Sequence, residues 1–149
     1  MIFITRKLEF CASHRLFNPG FSQEKNKEVF GLCNNPNGHG HNYVLEVTVR
    51  GEIDPKTGMV IDLKYLKDLV QNQIISKVDH KNLNVDVAFL ENIIPTAENI
   101  AVKFWEILKP QINVAENAEL HEIRLFESER NFVVYRGTSY ERSGTTATS

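Results

Sequence analysis

Cys33, His39 and His41 are the residues whose types and spacing could do chemistry together, in the stretch Cys33-Asn-Asn-Pro-Asn-Gly-His-Gly-His41. On a strand, side chains alternate with period two, so His39 and His41 share a face and their imidazoles can converge on one cation. Gly38 and Gly40 clear side chains from around the pair. Asn34, Asn35, Pro36 and Asn37 are turn formers that would hold the Cys33 thiol near such a cation without making it a ligand. A His-x-His pair alone is more often packing or surface than metal, so the other titratable residues decide. His14 ends the apolar side of the first alternating segment, just before a loop, and supplies a third imidazole at a sheet edge.

Three histidines leave a tetrahedral zinc with one open position, the arrangement of catalytic rather than structural zinc. A substrate hydroxyl or carbonyl bound there would have its neighbouring C–H acidified. Cys33 is then a candidate base, and His80 held by Asp79 could trade the proton with it. As a bare dipeptide after a helix, Asp79-His80 is more often an ordinary turn. Glu127, at the end of a late strand, could accept paired N–H donors from a flat heterocycle, although an acid in that place is usually solvated. Arg15 follows His14, and its guanidinium suits phosphate oxygens where it is not simply a surface residue.

The elements that must position these groups follow from periodicity. Residues 2–14 alternate, with Leu8, Phe10, Ala12 and His14 on one side, and Cys11, on the other, is expected to pack as a small hydrophobe. Residues 15–38 read as a long ordered connection, with Lys25 and Lys27 on a solvated face. A second strand runs from His41 to Arg50. Asp62 caps a helix carrying Leu63, Leu66, Val70 and Ile74. Thr96 caps a second helix, with Glu98 in its first turn, a buried stripe of Ile100, Phe104, Ile107 and Leu108, a partly buried Trp105, and an end at Lys109-Pro110. Residues 119–127 and 131–137 form a hairpin. The order strand, strand, helix, helix, strand, strand predicts an α+β domain over 1–137, a four-stranded antiparallel sheet with two helices on one face. Residues 138–149 read as a disordered Ser/Thr-rich tail.

The totals narrow the partners. A chain of 149 residues, 42% hydrophobic, suits one domain with an ordinary core. A net charge of −2 offers no basic stripe for nucleic acid. Two cysteines are too few for a disulfide framework, and the N-terminus has no signal-like or membrane-spanning run, so a cytoplasmic protein is expected. The competing Cys11–Cys33 disulfide of a secreted protein lacks an export signal.

Cys33-Asn-Asn-Pro-Asn-Gly-His-Gly-His-Asn-Tyr43 resembles the 6-pyruvoyl-tetrahydropterin synthase family, as do Ala12-Ser-His-Arg-Leu16, Asp79-His-Lys-Asn-Leu83, Gly51-Glu-Ile-Asp-Pro-Lys-Thr-Gly-Met59 and Val133-Val-Tyr-Arg-Gly137. The resemblance implies conversion of 7,8-dihydroneopterin triphosphate to 6-pyruvoyl-tetrahydropterin, with loss of triphosphate and an internal redox shift. It further implies zinc on His14, His39 and His41, Cys33 as base, Asp79 and His80 as relay, Glu127 as pterin anchor, and Thr96 and Glu98 on the pterin side. Ala97 departs from the animal pattern, which carries a second Thr there. The tunnelling fold of the family implies a homohexamer of two trimers with active sites at subunit interfaces. The nearest rival is the related 6-carboxy-tetrahydropterin synthase of the queuosine pathway, which releases acetaldehyde. Its cysteine lies closer to the His-x-His pair. A rival of another class is a non-catalytic zinc-binding module closed by Cys33.

Overall fold

The computed structural model of the chain describes residues 1–138. The Ser/Thr-rich tail expected to be disordered lies, from residue 139 on, outside the described residues. Strand β1 (Ile2–His14) and strand β2 (His39–Gly51) pair antiparallel along their whole length, from Ile2 opposite Gly51 to His14 opposite His39. Their alternation buries Leu8, Phe10 and Ala12 against Tyr43, Leu45, Val47 and Val49 on one face. The sheet order is β3-β1-β2-β4-β5, with β3 at Lys81–Asn82, β4 at Ala118–Phe126 and β5 at Phe132–Tyr135.

The expected four antiparallel strands are thus present, but the sheet is five-stranded and mixed, because β3 adds in parallel beside Ala12 and Ser13. Two residues are too short to show a period, so the sequence pattern could not reveal β3. In β4 the register against β2 shifts between Thr48 and Val49, which makes His121 an extra residue. This bulge flips the alternation, so Leu120, Ile123 and Leu125 all reach the same core.

The connection after β1 contains a helix that the pattern did not indicate, α1 (Gln23–Phe30), followed by a 3₁₀ turn over Gly31–Asn34. Its buried residue is the polar Asn26, whose side chain accepts from the Asn18 N–H and donates to the Asn18 carbonyl. A helix anchored by an amide rather than an apolar stripe has no hydrophobic period to detect. Further on, α2 (Leu63–Val70), a wide π turn over Gln71–Ile75 and α3 (Ser76–Val78) form one rod, capped as expected by Asp62, which accepts from the Lys64 N–H at 2.9 Å. Leu66, Val70 and Ile74 are fully buried, whereas Leu63 is exposed.

Helix α4 (Ala97–Ile112) is capped by Thr96 and runs past the expected stop at Lys109-Pro110. A proline in the last turn removes only one hydrogen bond, and burial of Ile112 draws that turn onto the core. Trp105 is buried rather than partly buried, and Ile107 is only partly buried. Both long helices join the core that Phe10, Leu45 and Ile123 build on one side of the sheet. No helix among the described residues is long and apolar enough to cross a membrane.

Candidate metal centre and its neighbours

The pairing of β1 with β2 sets His14 directly opposite His39, and the period-two rule brings His41 onto the same face. The Nε2 atoms of His14 and His39 lie 3.1 Å apart. Glu127, one step past β4 and of the same inward parity as Leu125, joins them. Its Oε1 stands 2.9 Å from His41 Nε2 and 3.5 Å from His14 Nε2. Four side chains thus offer ligand atoms that all lie within 4.8 Å of one another. The carboxylate's nearness to the imidazoles is a tertiary fact; its one signal in the sequence is that Glu127 shares the parity of the inward Ile123 and Leu125.

The donor set fits a divalent cation. In a tetrahedral zinc site with bonds of about 2.0–2.1 Å, neighbouring ligand atoms sit about 3.3 Å apart, close to the short separations here. His39 Nδ1 and His41 Nε2 are buried without a hydrogen-bond partner, the 2.9 Å approach of Glu127 to His41 not being aligned for one. Buried polar nitrogens are seldom left so.

The surrounding atoms fix the rings. His14 Nδ1 lies 2.8 Å from the Pro95 carbonyl, which can only accept. Nδ1 therefore carries the proton, and Nε2 turns its lone pair to the cluster. Burial pushes the pKa values of His14 and His41 down, which keeps both rings neutral and able to ligate at neutral pH. Tyr43, fully buried with its hydroxyl 3.3 Å from His14 Nδ1, has its pKa pushed far up by burial and stays uncharged. Gly38 adopts φ 74°, and a Cβ there would stand 3.0 Å from the His14 carbonyl oxygen. Gly40 is different, because its added Cβ would meet only the Ala12 oxygen at 3.6 Å.

Cys33 sits in the 3₁₀ turn, pinned where its carbonyl accepts the Leu16 N–H at 2.8 Å. Its thiol is outside the group of converging ligands and lines a cavity of about 590 Å³ with His39 and Arg15. Arg15 donates from Nε to the Asn34 carbonyl at 2.9 Å, with its guanidinium 4.7 Å from the Phe17 ring centroid.

Asp79 and His80 lie elsewhere. Asp79 Oδ1 accepts the Cys11 N–H at 2.9 Å and stands 3.0 Å from His80 Nδ1, while the His80 N–H donates to the Cys11 carbonyl at 2.6 Å. The Cys11 N–H above all, and also His80, hold the Asp79 carboxyl below its usual pKa, against a smaller opposing effect of burial. His80 has φ 61° and a side chain 81% exposed. Asp79 lines a cavity of about 710 Å³ on the outer face of the sheet, with Lys7, Glu9, Cys11 and Glu129. One chain therefore does not bring Asp79 into the Cys33 cavity. Cys11 is exposed there rather than packed, because the outer face of β1 carries no covering layer of its own. Thr96 and Glu98 are not part of the ligand cluster either; Thr96 accepts the Asn99 N–H as a helix cap, and Glu98 is exposed.

An antiparallel-dominated sheet backed by helices, with three imidazoles and a carboxylate converging beside a free thiol, defines an α+β protein with a candidate metal centre at the edge of a cavity. The profile of the 6-pyruvoyl tetrahydropterin synthase family matches residues 3–138. The chain is 46% identical to the human 6-pyruvoyl tetrahydrobiopterin synthase over 134 residues, covering 90% of each. It is 48% identical to that of Poecilia reticulata over 91% of this chain and 90% of the relative. The solved 6-pyruvoyl tetrahydropterin synthase of Caenorhabditis elegans superposes with a TM-score of 0.85 at 41% identity, covering 92% of this chain and 96% of that one. A 6-carboxy-5,6,7,8-tetrahydropterin synthase of Rickettsia typhi is 30% identical over 89% of this chain and 99% of its own length. The chain belongs to the 6-pyruvoyl tetrahydropterin synthase family.

Proposed function

We propose that this chain is a zinc-dependent 6-pyruvoyl-tetrahydropterin synthase, converting 7,8-dihydroneopterin triphosphate to 6-pyruvoyl-tetrahydropterin plus triphosphate. The observation that carries the reading is the convergence of His14, His39 and His41 with a free thiol beside them and outside the ligand set. Its support is the run of so-named relatives across nine-tenths of the chain.

In this reading His14, His39 and His41 hold the cation, and the Pro95 carbonyl keeps His14 in the ligating tautomer. When bound, zinc supplies the Lewis acidity that polarises a side-chain oxygen and acidifies the adjacent C–H. Cys33 takes that proton as base, and His80, oriented by Asp79, exchanges it. Glu127 accepts the paired N–H donors of the pterin ring, which sets the ring edge beside His41. Thr96 and Glu98 are assigned to the pterin end, supported by their place just after Pro95. The expected missing hydroxyl at Ala97 removes one contact from that end.

Cys33 and the Asp79–His80 pair are drawn from different subunits of a hexamer of two trimers. Supporting this are the outward, almost fully exposed His80 and the exposed apolar Phe132 and Val134 on the edge strand β5. Two free thiols suit a reducing, cytoplasmic setting.

Mass spectrometry of the product from dihydroneopterin triphosphate tests the reading. A 6-pyruvoyl product is expected, and acetaldehyde would move the chain to the 6-carboxy-tetrahydropterin reaction instead. Glu127→Gln should weaken binding of a pterin analogue by about tenfold at unchanged metal content, the scale of one charge-assisted hydrogen bond. Loss of metal in that variant would transfer Glu127 from the pterin to the ligand set.

A further inference from the structure

The cavity beside Cys33 has a second end that neither the metal cluster nor the proton relay uses. Helix α1 contributes Gln23 and Lys27 to its wall, four residues apart and so on one helix face. Arg15 enters the same cavity from the strand side. The two lysines of α1 differ in what they do. Lys25 lies 4.8 Å from the centroid of the Phe21 ring, whereas Lys27 forms no ion pair among the described residues. The cavity wall, which also includes His39, Asn34 and Asn35, carries the cations Arg15 and Lys27 and no carboxylate, in a chain whose net charge is −2. Walls of one sign in a partly enclosed cleft concentrate ions of the other sign.

We propose that Lys27, with Gln23 and Arg15, forms a polyphosphate subsite that holds the triphosphate of the substrate before and as it leaves. The inference rests on the pterin triphosphate reading for its substrate and on the cavity wall for its location. Lys27 acts as a mobile point charge and Gln23 as an amide donor. Arg15, its Nε fixed on the Asn34 carbonyl, presents the remaining guanidinium donors at a set angle. Glu127 does not line this cavity, so the subsite is separate from that anchor. A substrate lacking the triphosphate would lose the contacts at one end alone.

Calorimetry on the full-length, metal-loaded protein with inorganic triphosphate measures the subsite directly. Lys27→Gln should weaken triphosphate binding about tenfold and raise KM for dihydroneopterin triphosphate by a similar factor, the scale of a lost charge-assisted hydrogen bond. Affinity for unphosphorylated 7,8-dihydroneopterin should not move, and Lys27→Arg should recover most of the loss. Equal triphosphate affinity in wild type and Lys27→Gln overturns the subsite, as does an equal loss of affinity for dihydroneopterin. The two readings fail separately. A protein that forms no 6-pyruvoyl product but binds triphosphate through Lys27 keeps the subsite and loses the reaction. A protein that turns over with Lys27→Gln unchanged keeps the reaction and loses the subsite.

Discussion

Two cavities among the described residues flank the hairpin of β1 and β2 and have opposite character. The inward residues of β1 and β2 supply His14, His39 and His41, and the adjoining cavity, with Arg15 and Lys27 in its wall, has no carboxylate. The outward residues supply Lys7, Glu9, Cys11 and Asn42, and the cavity there is ringed by Glu9, Asp79 and Glu129. Period-two alternation thus sorts one hairpin into a metal and anion side and an acidic side. The separation teaches how the proposed proton transfer must be organised. The thiol belongs to the first cavity and the Asp79–His80 pair to the second, so a complete relay needs a second chain to bring the outward pair against the inward thiol.

The largest effect should come from Cys33→Ala. If the thiol is the base, turnover should fall by about 10²–10⁴, the range for loss of a positioned acid–base group, while zinc content holds at one per chain. Zinc lost together with activity would instead make Cys33 a ligand and the site a structural one. Next in size is His80→Ala, for which a fall of about 10²-fold is expected. In the proposed hexamer, assemblies re-formed from a mixture of Cys33→Ala and His80→Ala chains should recover activity that neither parent has, because some interfaces then pair an intact thiol with an intact imidazole. No recovery in verified mixed hexamers would mean that one chain supplies both groups, and the two-cavity division would lose its catalytic meaning.

A smaller effect separates two glycines that look alike in Gly38-His-Gly40. Gly38→Ala must hold a Cβ at φ 74° and 3.0 Å from the His14 carbonyl oxygen, so a loss of about 1–3 kcal/mol in unfolding free energy and weaker zinc retention are expected. Gly40→Ala meets only an ordinary contact and should leave both nearly unchanged. Denaturant melts with parallel metal analysis check the pair, and equal losses would place the need for glycine outside the backbone geometry described here.

These contrasts also show what the sequence made legible. The strand parity of Leu8, Phe10, Ala12 and His14 was visible because one face of the sheet is buried and the other is not, and so was the shared face of His39 and His41. The caps at Asp62 and Thr96 were visible because a side-chain oxygen before an apolar stripe is a local signal. Helix α1 was not, since its anchor is Asn26 rather than an apolar row, and with it went the position of Lys27, which by charge pattern alone belongs to a solvated face. Strand β3 offered only two residues. The contact of Glu127 with His41 depends on the pairing of Leu125 and Phe126 with β2, a tertiary register that no local window contains. The exposure of Cys11 follows from an outer sheet face with no covering layer, a fact of tertiary structure rather than of local pattern.

The smallest expected effect concerns the acidic side alone. Asp79 accepts the Cys11 N–H and lies against His80 Nδ1, and its pKa is held below the ordinary carboxylate value. A carboxyl whose pKa is lower folded than unfolded contributes stability that is fully present above its unfolded pKa of about 3.9 and is lost as pH falls through the folded value. With metal removed from both proteins by chelator, wild type should melt above Asp79→Ala by a constant margin from pH 7 down to about pH 5. The margin should close as pH drops further below about 4, where the carboxylate takes up its proton. A margin unchanged at the lowest pH would assign the contribution of Asp79 to the shape of its turn rather than its charge. His80 would then owe its position to its own backbone bond to Cys11, and an Asp79→Asn chain should orient the imidazole as well as the wild type does.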